Sequence, residues 1–290
     1  MTIDCRSALF MPASNPRALA KGPTLSADAI IIDLEDSVAP QNKAAAREQA
    51  VNALNDSDFG YRLRVLRINA TGTQWYADDV AAAARCAPDA ITLPKVETAN
   101  DIAQLAALMD KHPSLQQTRI WAMMESPLAV INAASIAASV KDYPQLSVFI
   151  IGSNDLALEA QMPISKDRTC LMPWLMTLVA SAKAFKLSIL DSVYNDFADS
   201  EGFETECVQG VNMGMNGKTL IHPSQLAIAN RVFSPTTDAI AKAEQVVQAF
   251  HLPENAEKGA ISIDGRMVER LHLGMAEQLL ARAKRLQLRE

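Results

Sequence analysis

The feature that most restricts this chain is a short apolar run that returns eight times, each followed by a helix-like stretch rich in alanine and leucine. The runs begin near Ser7 (SALFM), Ala29 (AIIIDL), Leu63 (LRVLRI), Ala90 (AITLP), Ile120 (IWAMM), Val148 (VFIIG), Ser188 (SILDS) and Gly217 (GKTLI), 22 to 40 residues apart. Continuous apolar runs rich in β-branched residues suit parallel strands buried on both faces. A strand, a helix and two loops take about 25–30 residues, so eight units predict an α/β fold of the (β/α)8 TIM-barrel type rather than an open doubly wound sheet.

Helix signals fall between the runs. Pro40, Pro127, Pro173 and Pro223 each suit a first helical turn, and Thr98 to Asp101 reads as a capping box opening TANDIAQLAALM. After Phe233 the pattern changes to a charged helix, the polar connector LPENAEK, a hairpin turning at Asp264-Gly265, and a closing basic amphipathic helix. The expected division is a catalytic barrel over 1–232 and a C-terminal helical lid or appendage over 233–290. The latter is too small for a core of its own and is expected to pack on its own or a neighbouring barrel.

Net charge separates classes of partner. At −6 over 290 residues, the chain lacks the basic excess of a general nucleic-acid binder, so an anionic ligand must meet a local basic patch. No apolar run approaches the roughly 18 residues of a membrane span, and Met1 to Arg17 lacks a signal-peptide core of about 7–15 apolar residues; a cytoplasmic protein away from membranes is expected. Cys5, Cys86, Cys170 and Cys207 are scattered without ligand spacing and read as reduced thiols.

A barrel of this kind builds its site at the C-terminal ends of the strands. The second run ends in Asp33-Leu34-Glu35-Asp36, the third in Arg67-Ile68-Asn69, the fourth in Pro94-Lys95-Val96-Glu97, the fifth in Glu125-Ser126-Pro127, the sixth in Gly152-Ser153-Asn154-Asp155 and the eighth in His222-Pro223. Glu125 and Asp155, without histidine or cysteine beside them, make an oxygen-only site that favours Mg2+ completed by water and a chelating 2-oxo acid. Arg67 has two readings: a bidentate partner for the acid's carboxylate, or a cation that neutralises Asp33 or Glu35 inside the mouth. His222, ahead of a proline, reads as structural.

The segments FMPASNPRALAK, IIIDLEDSVAPQNKAAAR, VLRINATGTQWYADD, ITLPKVETANDI, MMESPLAVINA, IGSNDLA, LDSVYNDFADSEGF, NGKTLIHPSQ and DGRMV, with Arg6-Ser7 before them, occur in order along nearly the whole chain. In these the chain resembles the citrate lyase β-subunit-like family of the HpcH/HpaI aldolase superfamily, including malyl-CoA and citramalyl-CoA lyases. The resemblance implies a magnesium-dependent carbon-carbon lyase that cleaves a 3-hydroxyacyl-CoA thioester to acetyl-CoA and a 2-oxo acid, pyruvate or glyoxylate. It implies Glu125 and Asp155 as metal ligands, Arg67 as the binder of the oxo-acid carboxylate, and Glu35 and Asp36 as acids facing the site. Arg17 and Lys21, four apart in NPRALAKG, match the family's contacts to CoA phosphates. Alternatives on the same frame are a citrate lyase β subunit acting on a carrier-bound citryl thioester, an acyl-CoA thioesterase, and a malate-synthase-like condensation.

The family assembles as trimers or larger homo-oligomers whose tails cover a neighbour's site, so a homotrimer is expected. In relatives an aspartate of that tail serves in acid/base work; here Glu269 follows DGRMV, one methylene longer. Two further departures are Ala13-Ser14 in place of a Gly-Asp pair, and the segment ALEAQMPISKDRTCLMPW after Asp155, which is expected to line the acyl pocket.

Overall fold

Strand β1 spans Ser7–Pro12, β2 Ala29–Asp33, β3 Leu63–Arg67, β4 Ala90–Leu93, β5 Arg119–Met124, β6 Leu146–Ile151, β7 Ser188–Asp191 and β8 Gly217–Leu220. They were obtained from a computed structural model that describes residues 3–255, 257–287 and 289. Each apolar run is thus a strand, with β5 and β6 starting slightly ahead of the runs. Every neighbouring pair is parallel, and β8 closes on β1 through Ser7 opposite Lys218 and Leu9 opposite Leu220. The fold is a closed eight-stranded α/β barrel.

Burial on both faces explains why the strands read as unbroken apolar runs. Along β2, Ile30 and Ile32 join the layer between sheet and helices, whereas Ala29 and Ile31 point to the barrel axis. Inside, the small Ala8, Ala29 and Ala90 leave room for Trp121 and Met123, a pairing of small and large residues that fills the barrel as a core rather than a pore. Trp121 is fully buried, and its truncation to alanine is expected to cost about 3–5 kcal/mol.

Local signals set the helix starts. The capping box of Thr98 and Asp101 opens the helix Ala99–Met109, and Pro127 and Pro173 sit in the first turns of theirs. Pro40 and Pro223 instead open short 3₁₀ turns that feed the helices Lys43–Asp56 and Leu226–Val232. Arg6 is paired with Asp28 through Nε and Nη2 at 2.9 and 3.0 Å. Both residues immediately precede strands, so this buried clamp belongs to the barrel's N-terminal face, opposite the mouth.

The chain divides into two compact units, the first running to Phe233 and the second starting at Ser234. The second contains the helix Thr237–His251, the antiparallel strands β9 (Ala260–Ile263) and β10 (Arg266–Glu269), and the helix Arg270–Gln287. Asp264 and Gly265 take φ of 49° and 76°, the left-handed pair a two-residue hairpin needs to match strand twist. The Arg270 guanidinium lies 5.8 Å from the Phe250 ring centroid and ties the two helices of this unit together. Among the described residues no helix is long and apolar enough to cross a membrane, and no cysteine is in a disulfide.

Candidate active site

A cavity of about 400 Å³ opens at the C-terminal ends of the strands, lined among others by Asp33, Asp36, Arg67, Glu125 and Asp155. Five residues from four different strand ends therefore meet. The register explains the closest pair: Asp33 and Arg67 are direct partners on β2 and β3. Arg67 donates Nε and Nη2 to the two Asp33 oxygens at 2.6 and 2.7 Å, and its guanidinium lies 4.7 Å from the Phe10 ring centroid. Nη1 donates to Met123 Sδ at 3.7 Å and lies 3.1 Å from Glu35 Oε2, within ion-pair distance.

Arg67 thus neutralises Asp33 with two nitrogens and faces Glu35 with the third, the second of the two readings. Burial works against its charge, but Asp33 and then Glu35 outweigh it and raise the pKa above that of free arginine. Burial likewise disfavours the Asp33 carboxylate, yet Arg67 lowers its pKa below the ordinary value. Asp33 also accepts the backbone N–H groups of Glu35 and Ser37, so one carboxylate fixes both the arginine and the following loop.

That loop is held from below by Lys43. Its buried ammonium donates to the carbonyls of Leu34 and Glu35 and to Asn69 Oδ1 at 2.7–2.8 Å, using all three donors. Asn69 in turn donates to Asp79, and Asp79 pairs with Arg47. Glu35 is buried and does not itself line the cavity; its carboxylate faces Arg67 and Lys95. Burial, with help from Asp36 and Asp33, pushes its pKa up to about 6 against the opposing pull of Arg67 and Lys95.

Glu125 follows β5 directly and is buried. One oxygen accepts the Lys95 backbone N–H at 2.7 Å, and the other lies where a side chain at residue 152 would have to go. A Cβ on Gly152 would stand 2.5 Å from Glu125 Cβ and 2.6 Å from Oε2, so only glycine fits there. Burial and the neighbouring Glu35 and Asp155 push the Glu125 pKa up to about 8. Asp155 sits half-buried in the first turn of the helix Ser153–Glu159.

These residues fit a divalent cation. Crowded carboxylates whose pKa values are raised by one another are stabilised by an added positive charge, and the donors are oxygens only. Among the described residues no three His, Cys, Asp or Glu side chains form a closed cage. Two carboxylates with open positions are the pattern magnesium accepts, leaving room for water and a chelating ligand.

Arg17 and Lys21 are exposed on the helix Pro16–Lys21 and border a second depression with His222. Phe10, Pro12 and Ile221 line both depressions, so the two adjoin. His222 caps the turn at Pro223 with Nδ1 at 2.7 Å from Ser224 Oγ and stacks on Phe197, consistent with a structural role. Glu269 ends β10 in the second unit and is exposed. The cavity lining comes from the first unit alone.

The segment after Asp155 does not line the cavity, contrary to the expectation. Its Arg168 runs to β7 instead, donating to Asp191 at 2.7 and 3.0 Å. Lys43, Lys95 and Gly152 were not read as site residues from sequence. The local signal for Lys95 and Gly152 is position, two residues past β4 for Lys95 and one past β6 for Gly152.

The HpcH/HpaI aldolase/citrate lyase family profile matches residues 6–223. The chain is 44% identical to a (3S)-malyl-CoA thioesterase of Cereibacter sphaeroides over 96% of this chain and 94% of that one. It is 30% identical to an L-malyl-CoA/β-methylmalyl-CoA lyase of the same species, over 96% and 94%. Its fold matches the crystal structure of the protein CitE from Mycobacterium tuberculosis in complex with magnesium, acetoacetate and coenzyme A, with a TM-score of 0.75, 32% identity, and coverage of 96% and 97%.

Proposed function

This chain belongs to the HpcH/HpaI aldolase/citrate lyase family, and on that footing we propose that it is a magnesium-dependent enzyme hydrolysing a short 3-hydroxyacyl-CoA thioester of the malyl-CoA type. The observation that carries the hydrolytic outcome is the full-length similarity to a malyl-CoA thioesterase, well above that to a malyl-CoA lyase of the same species. Glu125 and Asp155 are the proposed metal ligands. Magnesium held there would supply a Lewis acid for the hydroxy-acid end of the substrate.

Arg67, oriented by Asp33, binds the substrate carboxylate through Nη1. Its geometry is prepared before substrate arrives, so holding that carboxylate needs little reorganisation. Arg17 and Lys21 bind CoA phosphates, and the pantetheine arm passes Phe10 and Ile221, which line both adjoining depressions. In hydrolysis a water adds to the thioester carbonyl, the C–S bond breaks, and CoA leaves as the thiol. Asp36, which lines the cavity, is the proposed base, with Glu35 behind it against Arg67 and Lys95 as the acid that tunes the site. Glu269 is the proposed acid/base group of the tail, acting in a neighbouring subunit of a homotrimer.

The second reading is carbon-carbon cleavage of malyl-CoA or citramalyl-CoA. It is favoured by the concentration of Arg67, Glu125 and Asp155 at one end of the cavity, where the oxo acid would form, and by the keto acid in the related CitE complex. There the hydroxyl proton goes to a base and the bonding pair goes to the enolate of acetyl-CoA. The deciding experiment incubates the purified protein with each thioester, with magnesium and with chelator, and follows both free thiol and products. Chelator-sensitive release of CoA thiol and free hydroxy acid is expected. Acetyl-CoA with glyoxylate or pyruvate would replace hydrolysis by cleavage, and turnover only on a carrier protein would overturn both.

A further inference from the structure

Lys95 has an unusual backbone for its place. Its φ is 53°, in the left-handed region that disfavours side chains. The other non-glycine residues of this kind among those described include Ala87, Gln161 and Lys186 just past helix ends and Asp264 in the hairpin, where such a conformation is ordinary. Lys95 follows a barrel strand, two residues after the end of β4, with Pro94 and Val96 buried on either side.

The conformation turns the Lys95 N–H toward Glu125, whose Oε1 accepts it at 2.7 Å. The side chain leaves the same residue in another direction, more than half exposed, with Nζ 3.4 Å from Glu35 Oε1. One residue therefore touches both buried carboxylates, one through its backbone and the other through its ammonium. Strained backbone that persists beside a site is a marker of function when the surroundings hold it in place.

We propose that Lys95 is a positioning residue with two separable actions: its left-handed N–H occupies one oxygen of Glu125 and leaves the other for the cation, while its ammonium offsets the charge of Glu35. The inference rests on the reading that Glu125 and Asp155 hold magnesium. The two actions differ in chemistry, so substitutions separate them. Lys95→Gly and Lys95→Met keep the N–H and permit the same φ but remove the ammonium. Lys95→Val adds a β-branch that the left-handed region resists.

Magnesium affinity, measured by calorimetry on the full chain without substrate, is the readout. The glycine and methionine variants are expected to bind magnesium as tightly as the native protein or up to several-fold more tightly, because a competing positive charge is gone. The valine variant is expected to bind at least about tenfold more weakly, roughly 1.4 kcal/mol by the thermal energy at 25 °C. Equal affinity in the folded valine variant, or equal losses in all three, would overturn the proposal. Should the valine variant not fold, hydrogen exchange at the Lys95 amide of the native protein decides the backbone action: slow exchange supports it, and exchange at the rate of an open loop overturns it. A native protein that binds no magnesium would instead sink the metal reading itself.

Discussion

Two clusters of charge sit at strand ends of the same barrel, and they are built on opposite terms. Near β7 and β8, Arg168 and Lys218 face Asp191 and Glu206, two cations against two anions, all buried. Lys218 spends its donors on Asp191, Glu206 and the Ser192 carbonyl at 2.5–3.2 Å. Burial alone would raise the Asp191 pKa, but Lys218 and Arg168 lower it. At the mouth the carboxylates outnumber their cationic neighbours, and the pKa values of Glu35 and Glu125 are raised to about 6 and about 8. A balanced cluster is complete without a ligand, whereas an unbalanced one is completed by a cation. Raised carboxylates in a cavity are therefore the functional signal, and buried charge by itself is not.

The largest effect should come from breaking the balanced cluster. Asp191→Ala leaves two buried cations facing Glu206 alone, and a loss of about 3–5 kcal/mol in denaturant unfolding is expected, with no specific effect on magnesium affinity in the protein that folds. The mouth should respond in the reverse sense. Burial and its neighbours already hold metal-free Glu125 largely protonated at neutral pH, so Glu125→Gln should leave the metal-free melting temperature unchanged there and raise it above about pH 8, while thioester turnover falls by at least about 100-fold. A variant that loses both stability and turnover would place Glu125 with the structural cluster.

The smallest effect is a difference in pH dependence. The folded-state pKa of Glu125, about 8, lies above its ordinary 4.5, so the native state binds more protons than the unfolded state between these limits. Metal-free protein should therefore lose this stability contribution as pH rises from 4.5 to about 8, with Glu35 adding to the fall up to about 6. Asp191 has the opposite sign: its pKa is lowered from 3.8, so its contribution is present above that value and is lost as pH falls through the depressed pKa. Thermal melts from about pH 2 to pH 9, with and without magnesium, check this; magnesium should remove the alkaline decline and leave the acid limb unchanged.

Much of the mouth was legible before any coordinates, because strand ends in a barrel face one side and the runs locate those ends. That logic points to Arg67, Glu125 and Asp155 and the family resemblance to Asp36, and all four line one cavity, whereas Glu35, expected from the resemblance to face the site, does not. The balanced cluster was not legible. Lys218 sits inside the run GKTLI, and its partners are 12 and 27 residues away, a pairing that only the packing of a helix on β7 and β8 creates. Arg168 was hidden for a related reason: it lies in a segment expected to shape the acyl pocket, yet the side chain runs away from the cavity to Asp191. Lys95 was passed over because its contribution to Glu125 is a backbone N–H, which no residue type announces.

The account stands or falls on what the mouth carboxylates hold. Calorimetric titration of metal-free protein with magnesium at pH 8, for the native chain and for Glu125→Gln and Asp155→Asn, tests that directly. One binding event per chain is predicted for the native protein and none for either variant, with all three folded. Equal binding by the native chain and both variants would contradict it.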